Sequence, residues 1–60
     1  MCEFKVLLNG ELIMEDVTYV RLDGNKVILR DIVGDMKAVM EAEIVEVNVL
    51  TTELKIQHKL

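Results

Sequence analysis

The sequence predicts an all-β fold of five to six short antiparallel strands, and three observations carry that prediction. Apolar and polar residues alternate over short segments, which is the period of a strand with one buried face. These segments recur at intervals of roughly 8–12 residues and are separated by turn-forming residues. The 60 residues contain no proline and no long helical pattern. A small SH3-like barrel fits best, and residues 1–60 are expected to form a single domain.

The first two strands are predicted to form a hairpin. An apolar segment from Phe4 to Leu8 precedes Asn9-Gly10, and a second apolar run follows at residues 12–14. Asn-Gly between two such runs is the strongest short-range hairpin signal, because both residues tolerate the positive φ of a type I′ turn. Glu15-Asp16 then indicates a bend before an alternating segment over residues 17–22.

The second half of the chain contains further strands and one ambiguous segment. Asp23-Gly24-Asn25-Lys26 predicts a chain reversal. Residues 27–33 are β-branched and apolar enough for a central or strongly curved strand, which Gly34-Asp35 either closes or interrupts with a bulge. Residues 36–43 are rich in Met, Ala, Lys and Glu, which are good helix formers, so one helical turn is allowed there.

The last part of the sequence returns to alternation. Val45, Val47 and Val49 alternate with polar residues, and Leu54 and Ile56 do the same after a Thr-containing interruption. These patterns predict two more strands joined by a tight turn.

Composition narrows the function classes. The chain is 52% apolar with one Phe, one Tyr and no Trp, so its core must be built from Val, Ile, Leu and Met. A formal charge of -4 opposes attraction to nucleic-acid phosphates. No secretory signal pattern and no membrane-length apolar run are present, and a free thiol suits a reducing compartment. We therefore expect a cytoplasmic protein with no membrane association.

The residue inventory argues against an enzyme. There is no serine, one cysteine and one histidine, so a Ser-His-Asp triad cannot be assembled. His58, beside Lys59, is expected to be a solvent-exposed residue near the end of the chain. The acidic residues Glu41, Glu43 and Glu46 are expected to form a solvated strand face, because period-two spacing brings only Glu41 and Glu43 together.

Cys2 is the one candidate metal ligand. A cysteine at this position can offer its thiolate and its own backbone nitrogen to one ion as a five-membered chelate ring. Nitrogen and thiolate donors in a plane favour Ni(II) or Cu(II), whereas a tetrahedral set would favour zinc. One chain supplies too few donors, but a two-fold dimer would supply two copies. The alternative from spacing alone is an inert cysteine, either buried or incidentally exposed.

Several short features occur together along the chain. They are Met1-Cys2, Lys5-Val6-Leu7-Leu8 and a following turn, Asp16-Val17, Val20-Arg21, and a Gly-containing turn before Val27. With these features the sequence resembles the CooT family over essentially its whole length. The resemblance implies a homodimeric, SH3-like small β protein associated with nickel delivery for carbon monoxide dehydrogenase maturation. It carries the family's functional cysteine onto Cys2 and onto no other residue.

Three hypotheses follow. The leading one is a homodimeric Ni(II)-binding accessory protein, a metallochaperone for a client nickel enzyme, with Cys2 and backbone nitrogen as donors. The second is a small nucleic-acid-binding barrel, which would need stacking and basic residues on one face. Its candidate residues are Phe4, Tyr19, Lys5, Arg21, Lys26 and Arg30. The third is a protein-interaction domain that binds no metal.

Overall fold

The structure confirms the all-β prediction and gives six strands. It is a computed structural model that describes residues 3–59. The described part of the chain contains no helix. The strands are β1 (Phe4–Leu8), β2 (Glu11–Asp23), β3 (Lys26–Asp31), β4 (Met36–Val39), β5 (Ala42–Asn48) and β6 (Glu53–His58).

The six strands form one sheet in the order β4-β3-β2-β1-β6-β5. Four of the five neighbouring pairs are antiparallel, as expected, but β1 and β6 run parallel. The ladder is open, since β4 and β5 are its two edges and do not pair with each other to close a barrel. β1 and β6 therefore lie in the interior of the sheet with a partner strand on each side.

The predicted Asn-Gly hairpin is present. Asn9 has φ 50° and Gly10 has φ 86°, the signs that a type I′ turn requires. Leu8 pairs with Glu11 directly across this turn. The second predicted reversal is also found, since Gly24 has φ 61° and Asp23 pairs with Lys26.

The bend predicted at Glu15-Asp16 lies inside a continuous strand. Asp16 has φ 58°, and the pairing of β2 shifts register on both sides of it. The first half of β2 pairs with β1, and the half from Val17 onward pairs with β3. The sheet folds back at this point. A hydrogen bond shows this: the Ala42 N–H at the start of β5 donates over 2.9 Å to the carbonyl oxygen of Asn25 at the β2–β3 turn.

The core lies between the two halves of the folded sheet and is wholly aliphatic. Its members are less than 10% exposed and come from all six strands; they are Val6, Val17, Val27, Leu29, Val39, Ala42, Leu54 and Ile56. No polar residue among those described is buried with them. The aliphatic character of the core could be predicted from the sequence, because Val, Ile, Leu and Met are its only numerous large apolar residues.

The helical turn allowed over residues 36–43 does not form. Met36–Val39 pairs with β3 instead, and Val39 packs into the core opposite Val27. A helix of eight residues makes few internal bonds for its nucleation cost, whereas a strand completes an existing ladder. Glu41, with φ 51°, makes the turn into β5.

Candidate metal-binding site

The start of β1 lies in the middle of one end of the sheet. Phe4 pairs with Val17 of β2, which in turn pairs with Asp31 at the end of β3. On the other side, Lys5 pairs with Glu53 at the start of β6, and its N–H donates to Thr52 over 2.9 Å. The end of β3, the bend of β2 and the β5–β6 turn therefore surround the point where the chain enters the sheet.

Cys2, the predicted ligand, lies outside the described residues. In the sequence, Glu3 alone lies between it and Phe4, the first residue of β1.

Two loops at this end are held by side-chain caps. Asp31 Oδ1 accepts bonds from the backbone N–H groups of Val33 (3.1 Å) and Asp35 (2.9 Å). Asn48 Oδ1 accepts bonds from the N–H groups of Leu50 (3.0 Å) and Thr51 (3.1 Å). Each cap fixes a loop whose backbone would otherwise have to be solvated in several conformations.

Each of these capped loops presents two aliphatic side chains to solvent. Ile32 and Val33 are 50% and 77% exposed on the β3–β4 loop, and Val49 and Leu50 are 63% and 97% exposed on the β5–β6 loop. We call these four residues the aliphatic rim. Exposed aliphatic side chains on fixed loops are typical of interaction surfaces rather than of flexible connections.

Charges at this end are predominantly acidic. Glu3, Asp16 and Asp35 are exposed, and Lys5 and Arg30 are exposed cations on the neighbouring strands. Glu53 is half-buried and accepts a bond of 3.2 Å from the Thr51 hydroxyl. The carboxylates favour a cation over an anion near the chain start.

Residues 3–59 alone do not build a metal site. Within this range no three side chains of His, Cys, Asp or Glu are grouped so that they could share an ion. Cys2, the chain's only cysteine, lies outside this range.

His58 lies at the opposite end of β6. Because β1 and β6 are parallel, Lys5 is beside Glu53 while Leu8 is beside Ile56, and His58 lies beyond both. His58 lies five residue steps along β6 from Glu53, a distance of roughly 17 Å. The His58 Nδ1 is 3.2 Å from the Met40 carbonyl oxygen, an acceptor. Within one subunit His58 therefore does not approach the start of β1.

An open apolar groove of about 280 Å³ adjoins Phe4. It lies between the bend region of β2 and the β5–β6 pair. Its lining residues are Phe4, Val17, Thr18, Val20, Ile44, Val47 and Leu54. The groove offers no titratable side chain, so it cannot itself hold an ion.

The residues required for the nucleic-acid hypothesis do not form a stacking surface. The Arg30 guanidinium carbon lies 4.5 Å from the centroid of the Tyr19 ring and so covers one face of it. Phe4 is half-buried and packs against the core. Arg21 is near Asp23 at 3.8 Å, an exposed ion pair. One aromatic ring is thus covered on one face and the other is packed inward.

The acidic residues of β5 contact neighbouring side chains of β6. Glu43 accepts a bond of 2.7 Å from Gln57 Nε2, and Glu46 lies 3.4 Å from Lys55 Nζ. Both contacts are cross-strand and exposed to solvent. This arrangement matches the solvated strand face expected from the sequence.

The fold defines the class of protein, which is a small all-β domain. Its described residues form no catalytic constellation. In the sequence, a cysteine precedes the start of a central strand. Comparison with known proteins gives the particular family. A sequence model of the CooT family, the CO dehydrogenase accessory proteins, matches residues 1–57, and the chain belongs to that family. The family is one of accessory proteins and not of enzymes.

Two individual proteins are also similar to this chain. An uncharacterised protein of Methanocaldococcus jannaschii is 51% identical over 37 residues, a match covering 62% of this chain and 65% of that protein. The crystal structure of a CooT from Carboxydothermus hydrogenoformans superposes with a TM-score of 0.85 at 21% identity, covering 98% of this chain and all of the other. The second likeness confirms the fold.

Sequence reasoning missed the aliphatic rim. The sequence pattern predicts a central or strongly curved strand that includes Ile32 and Val33, and it places Val49 in an alternating segment and Leu50 in the turn that follows. The missed signal was local: Asp31 and Asn48 each precede an aliphatic pair, and Asp and Asn side chains commonly bond to backbone N–H groups shortly after them. The structure shows that these pairs belong to capped loops.

Proposed function

We propose that this protein is a Ni(II)-binding accessory protein for the maturation of carbon monoxide dehydrogenase or a related nickel enzyme. The Cys2 thiolate and adjacent backbone nitrogen of each subunit hold the ion at a homodimer interface. The ion is cargo for the client enzyme, and the protein works in the cytoplasm.

The observation that carries this proposal is the family match over residues 1–57, which includes Cys2. The family serves an enzyme that contains nickel. Thiolate sulfur with backbone nitrogen is a donor set suited to square-planar Ni(II). Cys2 is the chain's only thiol, and in the sequence it is separated from Phe4, the first residue of β1, by Glu3 alone.

The small number of donor atoms in one chain supports an ion that is shared between two subunits. One chain offers one thiolate and its neighbouring nitrogens, and the described residues offer no metal cluster that could complete the set. A two-fold axis through the ion doubles both donor types from identical surfaces. The result is a S₂N₂ set with no further side-chain ligand.

The test is a nickel titration of the wild type and of Cys2→Ser. The wild type is expected to bind one Ni(II) per two chains and to develop a thiolate-to-nickel charge-transfer absorption. Cys2→Ser is expected to lose that absorption and at least about a hundredfold in affinity, because a thiolate donor is replaced by a hydroxyl.

A matched control separates the thiol from the acidic surroundings. Glu3→Gln removes a neighbouring carboxylate and leaves the thiol, so it should retain the charge-transfer absorption. Unchanged nickel affinity in Cys2→Ser, or loss of the absorption in Glu3→Gln alone, would contradict the assignment of the ligand.

A further inference from the structure

We propose that the outer face of the sheet formed by β2, β3 and β4 binds a short, extended and acidic segment of a partner protein. Three cations, Arg21, Lys26 and Arg30, lie on this surface, which we call the basic face. None of the three is a candidate metal ligand. The proposal therefore does not depend on nickel.

Strand register places the three cations on one face. On β3, Lys26 and Arg30 alternate with residues that are fully buried in the core, so both cations lie on the outer side of the strand. β2 pairs Arg21 with Ile28, which lies between these two cations on the same side of β3. Because residues paired across neighbouring strands share a face of the sheet, Arg21 lies on the outer side as well.

The spacing of the cations follows from the geometry of the sheet. Lys26 and Arg30 are four residues apart, so their Cα atoms are separated by about 13 Å along β3. Arg21 lies opposite the midpoint on the neighbouring strand, and its Cα is therefore about 8 Å from each of them. Acidic residues at every second position of an extended chain are about 7 Å apart along one side. An extended segment with alternating carboxylates therefore matches the spacing of these cations.

The charge of the basic face is opposite to that of the rest of the chain. Its three cations have one carboxylate beside them, that of Asp23, so the face has a net charge of +2. The whole chain has a formal charge of -4, which leaves -6 on the remaining residues. Electrostatic attraction therefore directs an acidic ligand to this face.

The contacts of the two arginines leave both available to a carboxylate. The Arg30 guanidinium carbon lies 4.5 Å from the centroid of the Tyr19 ring, a contact that orients the group without a carboxylate. Arg21 Nη2 is 3.8 Å from Asp23 Oδ2, too long for a hydrogen bond, and both side chains are more than half exposed. Since a guanidinium has several N–H donors in a fixed plane, each arginine can bind an incoming carboxylate through a pair of parallel bonds.

β4 adds an uncharged border to the basic face. Met36 pairs with Arg30, and Ala38 pairs with Ile28, so both side chains lie on the outer side of the sheet. Met36 is 62% exposed, and its flexible thioether can adapt to apolar side chains of different shapes. We therefore expect the acidic segment to include an apolar residue beside its carboxylates.

A short acidic segment fits the basic face better than a polynucleotide does. Single-stranded nucleic acid needs a long positive groove and several stacking rings. The basic face has one aromatic ring, that of Tyr19, and Arg30 covers one side of it. A polynucleotide would also extend beyond the three cations and be repelled by the acidic remainder of the chain. A short segment stays within the roughly 10 Å over which the cations act at 0.1 M salt.

The experiment is a titration of the nickel-free protein, followed by the NMR shifts of its backbone amides. The ligand is a short synthetic peptide in which Glu alternates with Thr and a Leu follows. The expected shifts lie in β3, β4 and the half of β2 from Tyr19 to Asp23. A peptide with Gln in place of Glu should cause none of them. Binding should be lost at 1 M salt, where charges are screened within about 3 Å.

Two charge-matched double variants test which cations matter. Arg21→Gln/Lys26→Gln should bind the peptide about five- to twentyfold more weakly, because each exposed ion pair changes a dissociation constant by up to about fivefold. Lys5→Gln/Lys55→Gln removes the same charge from β1 and β6, and it should stay within about twofold of the wild type. The NMR spectra also show whether each variant is folded.

The outcomes decide this proposal apart from the nickel function. Equal weakening in the two double variants, or no shifts on the basic face at millimolar peptide, would overturn it. A single-stranded RNA oligonucleotide that shifts the same amides at lower concentration than the peptide would overturn the choice of a protein partner. Both double variants should bind nickel as the wild type does, so the nickel titration of Cys2→Ser tests the proposed function separately.

Discussion

At the scale of single residues, two side chains cap the loops at the end of the sheet where β1 begins. Asp31 and Asn48 each accept two backbone N–H bonds through one Oδ1 atom. These bonds hold the aliphatic rim in place without burying it. Loss of either cap should therefore change the shape of the end of the sheet where β1 begins.

Asp31 gives a sharp test of this role. Asp31→Ala should lower the free energy of unfolding by about 1–3 kcal/mol, because two backbone N–H groups lose their acceptor. Asp31→Asn is the matched control, since it keeps an Oδ1 acceptor and should recover most of that loss. Urea unfolding measures both, and equal losses in the two variants would show that charge, not the cap, is what stabilises the loop.

The buried leucines give a second prediction at this scale. Leu29 is fully buried among the aliphatic core residues. Leu29→Ala should lower the free energy of unfolding by about 2–5 kcal/mol through lost burial and the cavity left behind. Total stability for a domain of this length is only about 3–9 kcal/mol, so the variant is near the limit of folding. Leu12→Ala, at a half-exposed site on β2, is the comparison and should cost much less.

At the scale of elements, strand order decides local stability. β1 and β6 each have neighbours on both sides, whereas β4 and β5 are edges. Residues 36–43 have good intrinsic helix propensity, yet they form β4 and the start of β5, because pairing with β3 and burial of Val39 outweigh that preference. The edge strands depend on such pairing more than the central ones do.

Amide hydrogen exchange tests this order. Amides of β1 and β6 should exchange only through global unfolding, with protection close to the full free energy of unfolding. Amides of β4 that point away from β3 should exchange orders of magnitude faster. Equal protection in β1 and β4 of the metal-free protein would contradict the open sheet.

At the scale of the whole molecule, the fold is small enough for a ligand to change its stability markedly. A chain of 60 residues buries only about 60% of the surface that its unfolded form exposes. Its core is aliphatic and has no disulfide, since one cysteine cannot pair within the chain. Association and metal binding are the available sources of additional stability.

Nickel should therefore raise the melting temperature. At a free Ni(II) concentration about 100 times the dissociation constant, binding adds about 2.7 kcal/mol to the free energy of unfolding. Differential scanning calorimetry should show this shift for the wild type and none for Cys2→Ser. A shift of the same size in Cys2→Ser would mean that nickel stabilises the protein at another site.

The pH dependence of nickel binding belongs to the same scale. A thiol must lose its proton to bind nickel as a thiolate, and the ordinary pKa of a cysteine lies above neutrality. Binding should release protons, and affinity should fall as pH decreases, by up to about a hundredfold per pH unit for two thiolates. Isothermal titration calorimetry in buffers of different ionisation enthalpy counts the protons. A pH-independent affinity between pH 6 and 8 would exclude thiolate ligation.

The sequence by itself determined the fold class and the candidate ligand. Alternation, the Asn9-Gly10 turn and the absence of proline indicated short strands, since these signals are local and act within a few residues. Membership of the CooT family was also readable from the sequence, and the family match confirms it. The choice of Cys2 came from its position in the chain and stays a prediction.

Only the tertiary structure decided the parallel pairing of β1 with β6, the fold-back at Asp16 and the strand at residues 36–39. It also brought the two capped loops to the end of the sheet where β1 begins. These features join segments up to about 50 residues apart. Such contacts depend on which faces can be buried together, and a local pattern of polar and apolar residues carries no information about that choice.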